Sequence, residues 1–511
     1  MSVCRTQAVA LQGIEGVLVE VEADLSAGLP GLSLIGLPDR ALSESAERVK
    51  SAINNSQLSL PARKLTVNLS PADLPKSGSG FDLAIALAAL AAAQLVDAVS
   101  ISSVVHIGEL ALDGRLRRTA GILPAVMGAK KAGEKAVMVP IQQLPEAQLI
   151  EGIRVIGVHS LAEAAVWHRA DLQVPVSQSC TEDRVAEGKL PANAEDLSDV
   201  VGHEDAVLAL IAAAAGAHHV LMLGPPGAGK TMLARRLPGL LPPLTDEEAI
   251  EVASIASLTS SIVPTALPRT PPFVNPHHGI SSVAMVGGGG MVRPGAIVQA
   301  SHGVLFLDEA PEFPTAALDA LRQPLESGQV TIARAKQTTT FPAQFQLVLA
   351  ANPCPCGNFG VGDIDCSCAP MQRRRYFGRL SGPLRDRIDI QLTVPRVTSI
   401  ARVTASAMTS AEAQAKVLAV RKRSRDRWAS LGLDSVTTNA RVPGALLRAP
   451  QVRLSAKITA QLDAALRRGM ITLRGYDRAL RVAWTLADLD EQAQPSTEHI
   501  SRALYWRRGR E

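Results

Sequence analysis

The sequence is poor in aromatic residues, in cysteine and in long apolar runs. Phe, Trp and Tyr together make up 3% of its 511 residues, which include six cysteines. That cysteine count is too low for a fold that depends on disulfide bonds. The richest apolar runs, at 83–96 and 207–217, are shorter than the roughly 20 residues that cross a bilayer as a helix. We therefore expect no membrane span.

The first residues lack the pattern of an export signal. MSVCRTQAVALQGIEG contains no basic stretch followed by an apolar core, so we expect a cytoplasmic protein. Hydrophobic residues make up 47% of the chain and charged residues 20%, which excludes a disordered or low-complexity protein. A chain of 511 residues has room for about two to four domains.

Composition and periodicity divide this α/β multidomain chain into four parts. Residues 1–170 alternate short β-like runs with helical stretches, which predicts an α/β or α+β domain. Residues 171–196 are polar and aperiodic, as expected of a linker. Residues 197–397 alternate strands and helices in the way that builds a parallel sheet. Residues 398–511 are mostly helical and predict a separate α-helical lid.

Charge is unevenly distributed along the chain, although the net charge is only +4. Residues 371–511 hold 27 Lys and Arg against 12 Asp and Glu, whereas the remaining residues hold 25 against 36. A basic C-terminal part indicates a surface for a polyanion such as nucleic acid. The alternative is that these arginines serve nucleotide sensing and ion pairs between subunits.

A glycine-rich segment follows the apolar strand predicted at 220–223. It matches the phosphate-binding P-loop and continues into a helical segment, which is the context that this motif requires. Its backbone N–H groups and the start of the helix would face phosphate. Lys230 would contact the β- and γ-phosphates of ATP, and the Thr231 hydroxyl would ligate Mg²⁺. The motif consists of Gly224, Pro225, Pro226, Gly227, Ala228, Gly229, Lys230 and Thr231.

Two further apolar strands of this part end in polar residues. VLFL is followed by Asp308 and Glu309, which suit Mg²⁺ coordination and polarisation of the attacking water, respectively. LVLAA is followed by Asn352, which is well placed to orient the γ-phosphate or that water. The alternatives are an exposed acidic turn for the carboxylates and an ordinary turn residue for Asn352.

Four of the six cysteines occur in a C-x-C-x9-C-x-C arrangement. They are Cys354, Cys356, Cys366 and Cys368. Four thiolates make a chemically sensible closed tetrahedral Zn²⁺ site, although the one-residue spacing is tighter than in the usual zinc motifs. The alternative is a set of four reduced structural thiols.

Several segments together resemble the magnesium-chelatase-like AAA+ ATPases of the ComM/YifB type, over nearly the whole chain. They are DVVGH (199–203), the P-loop, PHHGISSVAMVGGGG (276–290), GVLFLDEAPEF (303–313), LRQPLESGQVTIAR (321–334), ANPCPCG (351–357) and SGPLRDRIDI (381–390). The order of four of these features, which are residues 199–203, the P-loop, Asp308 with Glu309, and Asn352, resembles that of the adenine-pocket loop, Walker A, Walker B and sensor 1 of an AAA+ ATPase. The sequence departs from the family pattern at Ala296, where a glutamate is expected.

The resemblance implies roles for residues outside the P-loop. Val200 and Val201 correspond to the adenine-pocket loop. Arg387 resembles an arginine finger that completes a neighbouring subunit's site, and Arg474 resembles sensor 2. Both arginines imply a homo-oligomeric ring, expected to be a hexamer. The alternatives are an ion pair of Arg387 with an adjacent aspartate and a solvated helix face for Arg474.

The segment QVTIARAKQTTTFPAQFQL (329–347) reads as two strands with Arg334 and Lys336 near their turn. It resembles the presensor hairpin of replicative MCM-type helicases, which implies cations that contact DNA phosphates in a central channel. The alternative is a solvated hairpin tip.

Two N-terminal segments are PKSGSGFDLAIALAALAAAQL (75–95) and RLRRTAGILPAVMGAKKAGEKAVMVP (115–140). They resemble the proteolytic domain of Lon-type proteases, which has the ribosomal protein S5 domain 2-like fold. Gly80 stands at the position of the serine nucleophile and Leu123 at that of the partner lysine. We therefore expect no peptidase activity. Lys76, Ser77 and Ser79 are expected to be turn and surface residues.

The resemblance implies an ATP-driven motor on single-stranded or branched DNA. Its expected role is branch migration and integration of incoming DNA during natural transformation, with recombination proteins as candidate partners. One rival is a magnesium-chelatase-like remodelling subunit, which the Lon-like domain and the lack of a DxSxS segment oppose. A second rival is a regulatory ATP-binding scaffold, against which Glu309 argues.

Overall fold

The computed structural model describes most of the chain. The described residues are 3–36, 42, 44–76, 78–172, 195–259, 266–288, 293–334, 337–360, 366–396 and 408–508. Most of the predicted linker, residues 173–194, lies outside them. None of the helices in these ranges combines the length and the apolar composition that crossing a membrane requires.

The first part of the chain is built on a mixed sheet. Its strands are β1 (Cys4–Gln12), β2 (Glu15–Ser26), β3 (Gly31–Ile35), β4 (Lys64–Ser70), β5 (Val105–His106), β6 (Glu109–Leu110), β7 (Leu116–Arg117), β8 (Ala136–Pro140) and β9 (Arg154–Val158). Among the described residues, seven of these strands pair in the order β3-β4-β2-β1-β5-β8-β9. β1 and β2 form an antiparallel hairpin, whereas β5, β8 and β9 pair in parallel.

Helices cover this sheet. They are α1 (Ser45–Asn55), α2 (Asp82–Ala92), α3 (Ala98–Ser102), α4 (Ile122–Lys131), α5 (Leu144–Ala147) and α6 (Leu161–Trp167). Beyond Asp82 at its start, α2 is apolar on every side, and its residues 82–91 are buried. A helix of this composition needs apolar neighbours all round. The sheet provides one of them, since α2 shares a core with the inward-facing residues of β1, β2 and β4.

The central part is built on a parallel sheet, as the sequence predicts. Its strands are β10 (Val220–Leu223), β11 (Phe273–Val274), β12 (Gly287–Gly288), β13 (Arg293–Pro294), β14 (Val304–Leu307), β15 (Gln329–Arg334), β16 (Gln337–Pro342), β17 (Gln346–Ala351) and β18 (Ile390–Thr393). The sheet order is β11-β14-β17-β10-β18, and every pairing in it is parallel. β14 and β17 are buried along their whole length, which is typical of a sheet covered on both faces.

Helices flank the parallel sheet and connect it to the first part of the chain. They are α7 (Glu204–Gly216), α8 (Lys230–Leu240), α9 (Asp246–Thr259), α10 (Ser282–Val286), α11 (Ala296–Gln299), α12 (Thr315–Asp319), α13 (Pro324–Ser327), α14 (Pro370–Gly378) and α15 (Gly382–Arg385). α9 packs against α4, and Ala253 belongs to the core of the first part. Ala296 starts α11 and is buried among apolar residues, a place that suits alanine better than glutamate.

The described residues from 408 to 508 contain helices and no strand. The helices are α16 (Ser410–Ser430), α17 (Gly444–Leu447), α18 (Ala456–Arg467), α19 (Leu473–Leu489) and α20 (Thr497–Arg508). α16 begins with a capping box between Thr409 and Glu412. Trp428 and Trp506 are fully buried in an apolar core that continues into β10 and β18 of the parallel sheet. The C-terminal helices are therefore attached to the sheet by shared apolar packing.

Candidate functional site

The glycine-rich segment joins the end of β10 to the start of α8. Gly227 and Gly229 have φ values of +75° and +85°, in the left-handed region that glycine adopts without strain. Lys230 is the first residue of α8 and is buried. Its Nζ donates hydrogen bonds to the carbonyl oxygens of Gly224 and Pro225 at 2.6 and 3.0 Å. The loop therefore curls around the ammonium group.

Side chains that follow β14 and β17 lie beside this loop. The Thr231 hydroxyl donates a hydrogen bond to Asp308 at 2.7 Å, and Lys230 Nζ donates one to Asn352 Oδ1 at 3.0 Å. The three strands involved are parallel neighbours, so their carboxyl ends meet at one edge of the sheet. Burial lowers the pKa of Lys230, while the negative charges of Asp308 and Glu309 act in the opposite direction.

The residues at this edge fit a magnesium-bound nucleotide. The hydroxyl of Thr231 and the carboxylate of Asp308 are in direct contact and offer oxygen atoms, which are the ligands that Mg²⁺ takes. The ammonium of Lys230 and the N-terminus of the 11-residue helix α8 supply positive charge for phosphate groups.

Glu309 has an unusual backbone conformation. Its φ is +52°, in the left-handed region that costs a residue with a side chain on the order of 1 kcal/mol. Its N–H donates to the Asp308 carboxylate at 3.0 Å, and its own carboxylate lies 3.7 Å from His278 Nδ1. Half of the Glu309 side chain is exposed, so a water molecule can reach it.

Two residues of this region were not identified from the sequence. His278 belongs to the quoted PHHG segment, but nothing in its spacing indicates a contact with Glu309. Arg396 follows β18, and its Nε donates a hydrogen bond to the carbonyl oxygen of Pro226 in the P-loop at 3.2 Å. Arg396 follows a strand whose carboxyl end lies beside that of β10, and this position could have indicated its contact with the P-loop.

The predicted adenine-pocket residues lie next to α8. Val200 is buried and Val201 is half-buried. The segment before them is attached to α8 by Arg236, whose guanidinium donates hydrogen bonds to the Asp196 carbonyl at 2.6 Å and to Asp199 at 3.3 Å. The two valines are therefore held on the helix that follows the P-loop.

Arg387 and Arg474 line one common pocket. Its other lining residues are Glu326, Asp386, Asp477, Arg478 and Arg481. Arg387 is ion-paired with Glu326 rather than with the adjacent aspartates that the sequence offered, while Asp389 accepts a hydrogen bond from Arg478 at 2.6 Å. No spacing or motif in the sequence indicates that α19 brings Arg474 to the pocket of Arg387.

This pocket and the P-loop lie at opposite ends of the strands of the parallel sheet. Lys230 follows the carboxyl end of β10, whereas Arg387 precedes the amino end of β18. The two strands are parallel, with Val220 opposite Ile390 and Leu223 opposite Thr393. Arg387 therefore lies away from the P-loop of its own chain.

The predicted basic hairpin is present in part. β15 and β16 pair antiparallel, and the backbone of Arg334 lies opposite that of Gln337. Lys336 and the side chain of Arg334 lie outside the described residues. Thr339 and Thr340, farther along β16, approach Gly13 in the turn between β1 and β2.

The four predicted cysteines come together immediately after Asn352. Their sulfur atoms all lie within 4.8 Å of one another. Cys354 is buried, while the other three are half-buried. The backbone N–H of Asn358 lowers the pKa of Cys356 to about 6. A compact set of four thiols is a donor set that a soft metal ion such as Zn²⁺ prefers.

The region expected to have lost a peptidase site has one difference from the prediction. Leu123 is fully buried in α4. Lys76 is also buried, so the prediction of a surface residue was wrong for it. Its ammonium donates a hydrogen bond to the Pro71 carbonyl, which gives the buried charge a partner. Ser79 donates to Glu109, and Ser77 lies outside the described residues.

Comparison with known families places magnesium-chelatase models along the chain. The model described as "Magnesium chelatase, subunit ChlI" matches residues 196–402. "Subunit ChlI of Mg-chelatase" matches residues 21–143, and "Magnesium chelatase, subunit ChlI C-terminal" matches residues 407–507.

Curated proteins match over almost the full length. An uncharacterized protein of Mycobacterium tuberculosis is 46% identical over 509 residues, with 99% of each chain covered. The competence protein ComM of Haemophilus influenzae is 39% identical over 515 residues, covering 99% of this chain and 98% of ComM. The uncharacterized protein YifB of Escherichia coli is 38% identical over 513 residues, covering 99% and 97%. With its P-loop, carboxylates and parallel sheet, the chain belongs to the magnesium-chelatase-like ATPase family of the ComM/YifB type.

Proposed function

We propose that the chain is an ATP-dependent, ring-forming DNA motor. Its activity would be that of a helicase that promotes branch migration and the integration of incoming DNA in natural transformation. The observation that carries the ATPase part is the joint contact of Lys230 and Thr231 with Asn352 and Asp308. The DNA part is supported by the full-length similarity to a protein named for competence.

Each residue of the site has a role in this proposal. Lys230 binds the β- and γ-phosphates, and Thr231 and Asp308 hold Mg²⁺, which neutralises phosphate charge when bound. Glu309 polarises the attacking water, and its exposure leaves room for that water. Asn352, bonded to Lys230, orients the γ-phosphate or the water.

A ring is required if the arginines complete the site. Arg387 and Arg474 share a pocket at the sheet edge opposite the P-loop, which favours their action on the nucleotide of a neighbouring subunit. We propose a homo-hexamer, in which every interface pairs one P-loop with the arginine pocket of the next subunit.

The DNA-binding surface is proposed from charge and from the hairpin. Residues 371–511 carry 27 basic against 12 acidic residues, and the sequence predicts Arg334 and Lys336 near the turn of the hairpin. Cations at these places would contact phosphates without reading the base sequence. Such a motor would work in the cytoplasm, together with recombination proteins.

The proposed division into domains follows the two sheets. Residues 1–170 would form a Lon-protease-like S5 domain 2-like domain without peptidase activity, and 171–196 a linker. Residues 197–397 would form the AAA+ core, and 398–511 the helical lid of magnesium-chelatase type. Zn²⁺ bound by the four cysteines is proposed as a further cofactor beside ATP and Mg²⁺.

One experiment tests the function most directly. ATP hydrolysis is measured with and without single-stranded DNA or a four-way junction, and Lys230→Ala serves as the control without ATP binding. We expect turnover by the wild type that rises with DNA. Turnover that DNA leaves unchanged would favour a magnesium-chelatase-like remodelling subunit, which the family models' names support, and absent turnover would favour a regulatory scaffold.

A further inference from the structure

The four-cysteine cluster, Cys354, Cys356, Cys366 and Cys368, has the dimensions of a tetrahedral metal site. Cys354 Sγ lies 3.3 Å from Cys356 Sγ and 3.6 Å from Cys366 Sγ. Cys356 Sγ and Cys366 Sγ are 3.7 Å apart. Four sulfur atoms at about 2.3 Å from a central Zn²⁺ would be about 3.8 Å apart. The thiols are free rather than joined in disulfides.

Groups around the cluster suit bound thiolates. The backbone N–H of Phe359 donates to Cys354 Sγ at 3.4 Å, and the guanidinium of Arg373 is 4.0 Å from Cys366 Sγ. Arg373 also lies over the Phe359 ring, 4.1 Å from its centroid, so its position is fixed by packing. Four thiolates and one Zn²⁺ carry a net charge of −2, which a nearby cation and N–H donors stabilise.

The cluster lies against the ATP site. Cys354 is two residues beyond Asn352, which contacts Lys230. Gly357, inside the cluster loop, has a φ of +81°, and a Cβ there would come within 2.5 Å of Pro226 in the P-loop. The loop therefore packs directly on the P-loop and follows β17 and Asn352 in the chain.

The other half of the cluster is attached to the Walker B region. α14 begins at residue 370, two residues after Cys368. At the end of this helix, Arg379 donates hydrogen bonds to the Pro311 carbonyl at 3.0 Å and to Glu312 at 3.1 Å, in the turn that follows Glu309. Asn352 precedes the first Cys-x-Cys pair, and α14 follows the second. A metal ion bound by both pairs would therefore connect Asn352 to this turn.

We propose that the cluster is a closed Zn²⁺ site that positions Asn352 for ATP hydrolysis beside the P-loop. Binding converts four thiols to thiolates and releases their four protons to solvent. All four ligands come from the protein, so the ion has a structural role and no open position for water. The positioning role rests on the proposed ATPase function, whereas zinc binding does not.

Zinc content tests the site directly. Protein purified under reducing conditions should contain about one zinc ion per chain by elemental analysis. Cys368→Ser should lose most of the metal, whereas Cys368→His, which keeps a four-ligand Cys3His set, should retain it. Cys180→Ser, a matched change outside the cluster, should have wild-type content. Absence of zinc from the wild type, both as purified and after incubation with Zn²⁺, overturns the proposal.

Kinetics test the positioning role. Cys368→Ser should lower kcat for ATP about tenfold or more, with a much smaller change in the Kd of a fluorescent ATP analogue, because Asn352 acts on the reacting groups. Cys368→His should restore kcat, and removal of zinc from the wild type by a chelator followed by Zn²⁺ addition should lower and restore it. In an Asn352→Ala background, Cys368→Ser should lower kcat only slightly further.

The outcomes separate the two proposals. Zinc-bound wild type without ATP turnover contradicts the proposed function and leaves the zinc site in place. Turnover that is equal with and without zinc removes the positioning role. Equal losses of kcat and of nucleotide affinity indicate a collapsed P-loop and also contradict a role through Asn352.

Discussion

Lys230 and Asn352 are 122 residues apart in the sequence, and their side chains form a hydrogen bond of 3.0 Å. The bond joins the start of α8 to the end of β17. It also places an amide oxygen on the ammonium group that would bind phosphate. Loss of Lys230 should therefore impair nucleotide binding, whereas loss of Asn352 should impair hydrolysis.

Changes to the P-loop lysine and the Walker B glutamate should separate binding from hydrolysis. Lys230→Ala should abolish nucleotide binding, because the lysine provides the charge that binds phosphate. Glu309→Gln should retain binding and lose hydrolysis by orders of magnitude, because the amide cannot polarise water as a carboxylate does. Binding of a fluorescent analogue and phosphate release measure the two effects. The exposed Glu247→Gln, in the first turn of α9, is the control, and undiminished turnover by Glu309→Gln would refute the assignment.

Arg387→Ala should bind nucleotide and hydrolyse it slowly, since a finger contact strengthens toward the transition state. Mixing this variant with Lys230→Ala subunits should restore some turnover, because hybrid interfaces combine one intact P-loop with one intact arginine. Each variant alone is the control. No recovery in verified mixed rings would place the role of Arg387 within its own subunit.

DNA affinity should fall steeply with salt if the basic residues contact phosphates. Replacing Arg334 and Lys336 together by alanine should flatten the dependence of log Kd on log salt by roughly one to two charges, equally for unrelated sequences. Fluorescence anisotropy of labelled junction DNA across a salt series, with a non-hydrolysable ATP analogue present, measures this dependence. Gln337→Ala with Thr338→Ala is the matched control. Absent or salt-insensitive binding by the wild type would contradict the motor.

The buried carboxylate of Asp488 should be important for the stability of the C-terminal helices. Asp488 is fully buried and binds Arg427 and Asn439, the latter at 2.9 Å. Asp488→Ala removes a partner from the half-buried Arg427 and from the buried Asn439 amide, and it should cost about 3–5 kcal/mol in the free energy of unfolding. Glu491→Ala, at an exposed ion pair with Arg423, should cost less than about 1 kcal/mol. Denaturant titration compares them, and equal effects would contradict this interpretation.

A buried histidine pair should make the first part of the chain sensitive to acid. Thr6 donates its hydroxyl hydrogen to the Ile101 carbonyl, so it accepts from His106 Nδ1 at 2.7 Å. His106 Nε2 then accepts from His168 Nε2 at 2.9 Å, and His168 Nδ1 accepts from Ser100 at 2.8 Å. In this arrangement of bonds each ring carries one proton and is neutral. A second proton on His106 would face the N–H of His168 unless His168 and Ser100 reversed their bonds, and burial disfavours the charged form of either ring.

The pH range follows from the pKa values. Burial lowers the pKa of His106 well below its ordinary value of 6.5 and that of His168 to about 4. The unfolded chain therefore binds more protons below pH 6.5, and stability present above that pH is lost as the pH falls toward 4. Each ring contributes up to about 1.4 kcal/mol per pH unit. His168→Gln should flatten the curve of unfolding free energy against pH, with exposed His159→Gln as the control. An unchanged slope would contradict this prediction.

Local pattern was sufficient to identify the elements of the nucleotide site. The strands at 220–223, 304–307 and 347–350 were predicted as apolar runs, and the polar residues after them share one edge because parallel strands must end together. The P-loop, Asp308 and Asn352 were identified for the same reason. The predicted α/β character and the parallel sheet are confirmed.

Contacts between distant segments were decided only by the tertiary structure. Nothing in the spacing of residues indicates that Arg474 lines a pocket with Arg387, that His278 approaches Glu309, or that Lys76 is buried. The C-x-C pairs predicted a metal site, but only the packing of Gly357 against Pro226 brings that cluster to the P-loop. Sequence periodicity reports which face of an element is apolar, because burial repeats with the element's own geometry. Which elements meet depends on the packing of the whole chain, which no local pattern records.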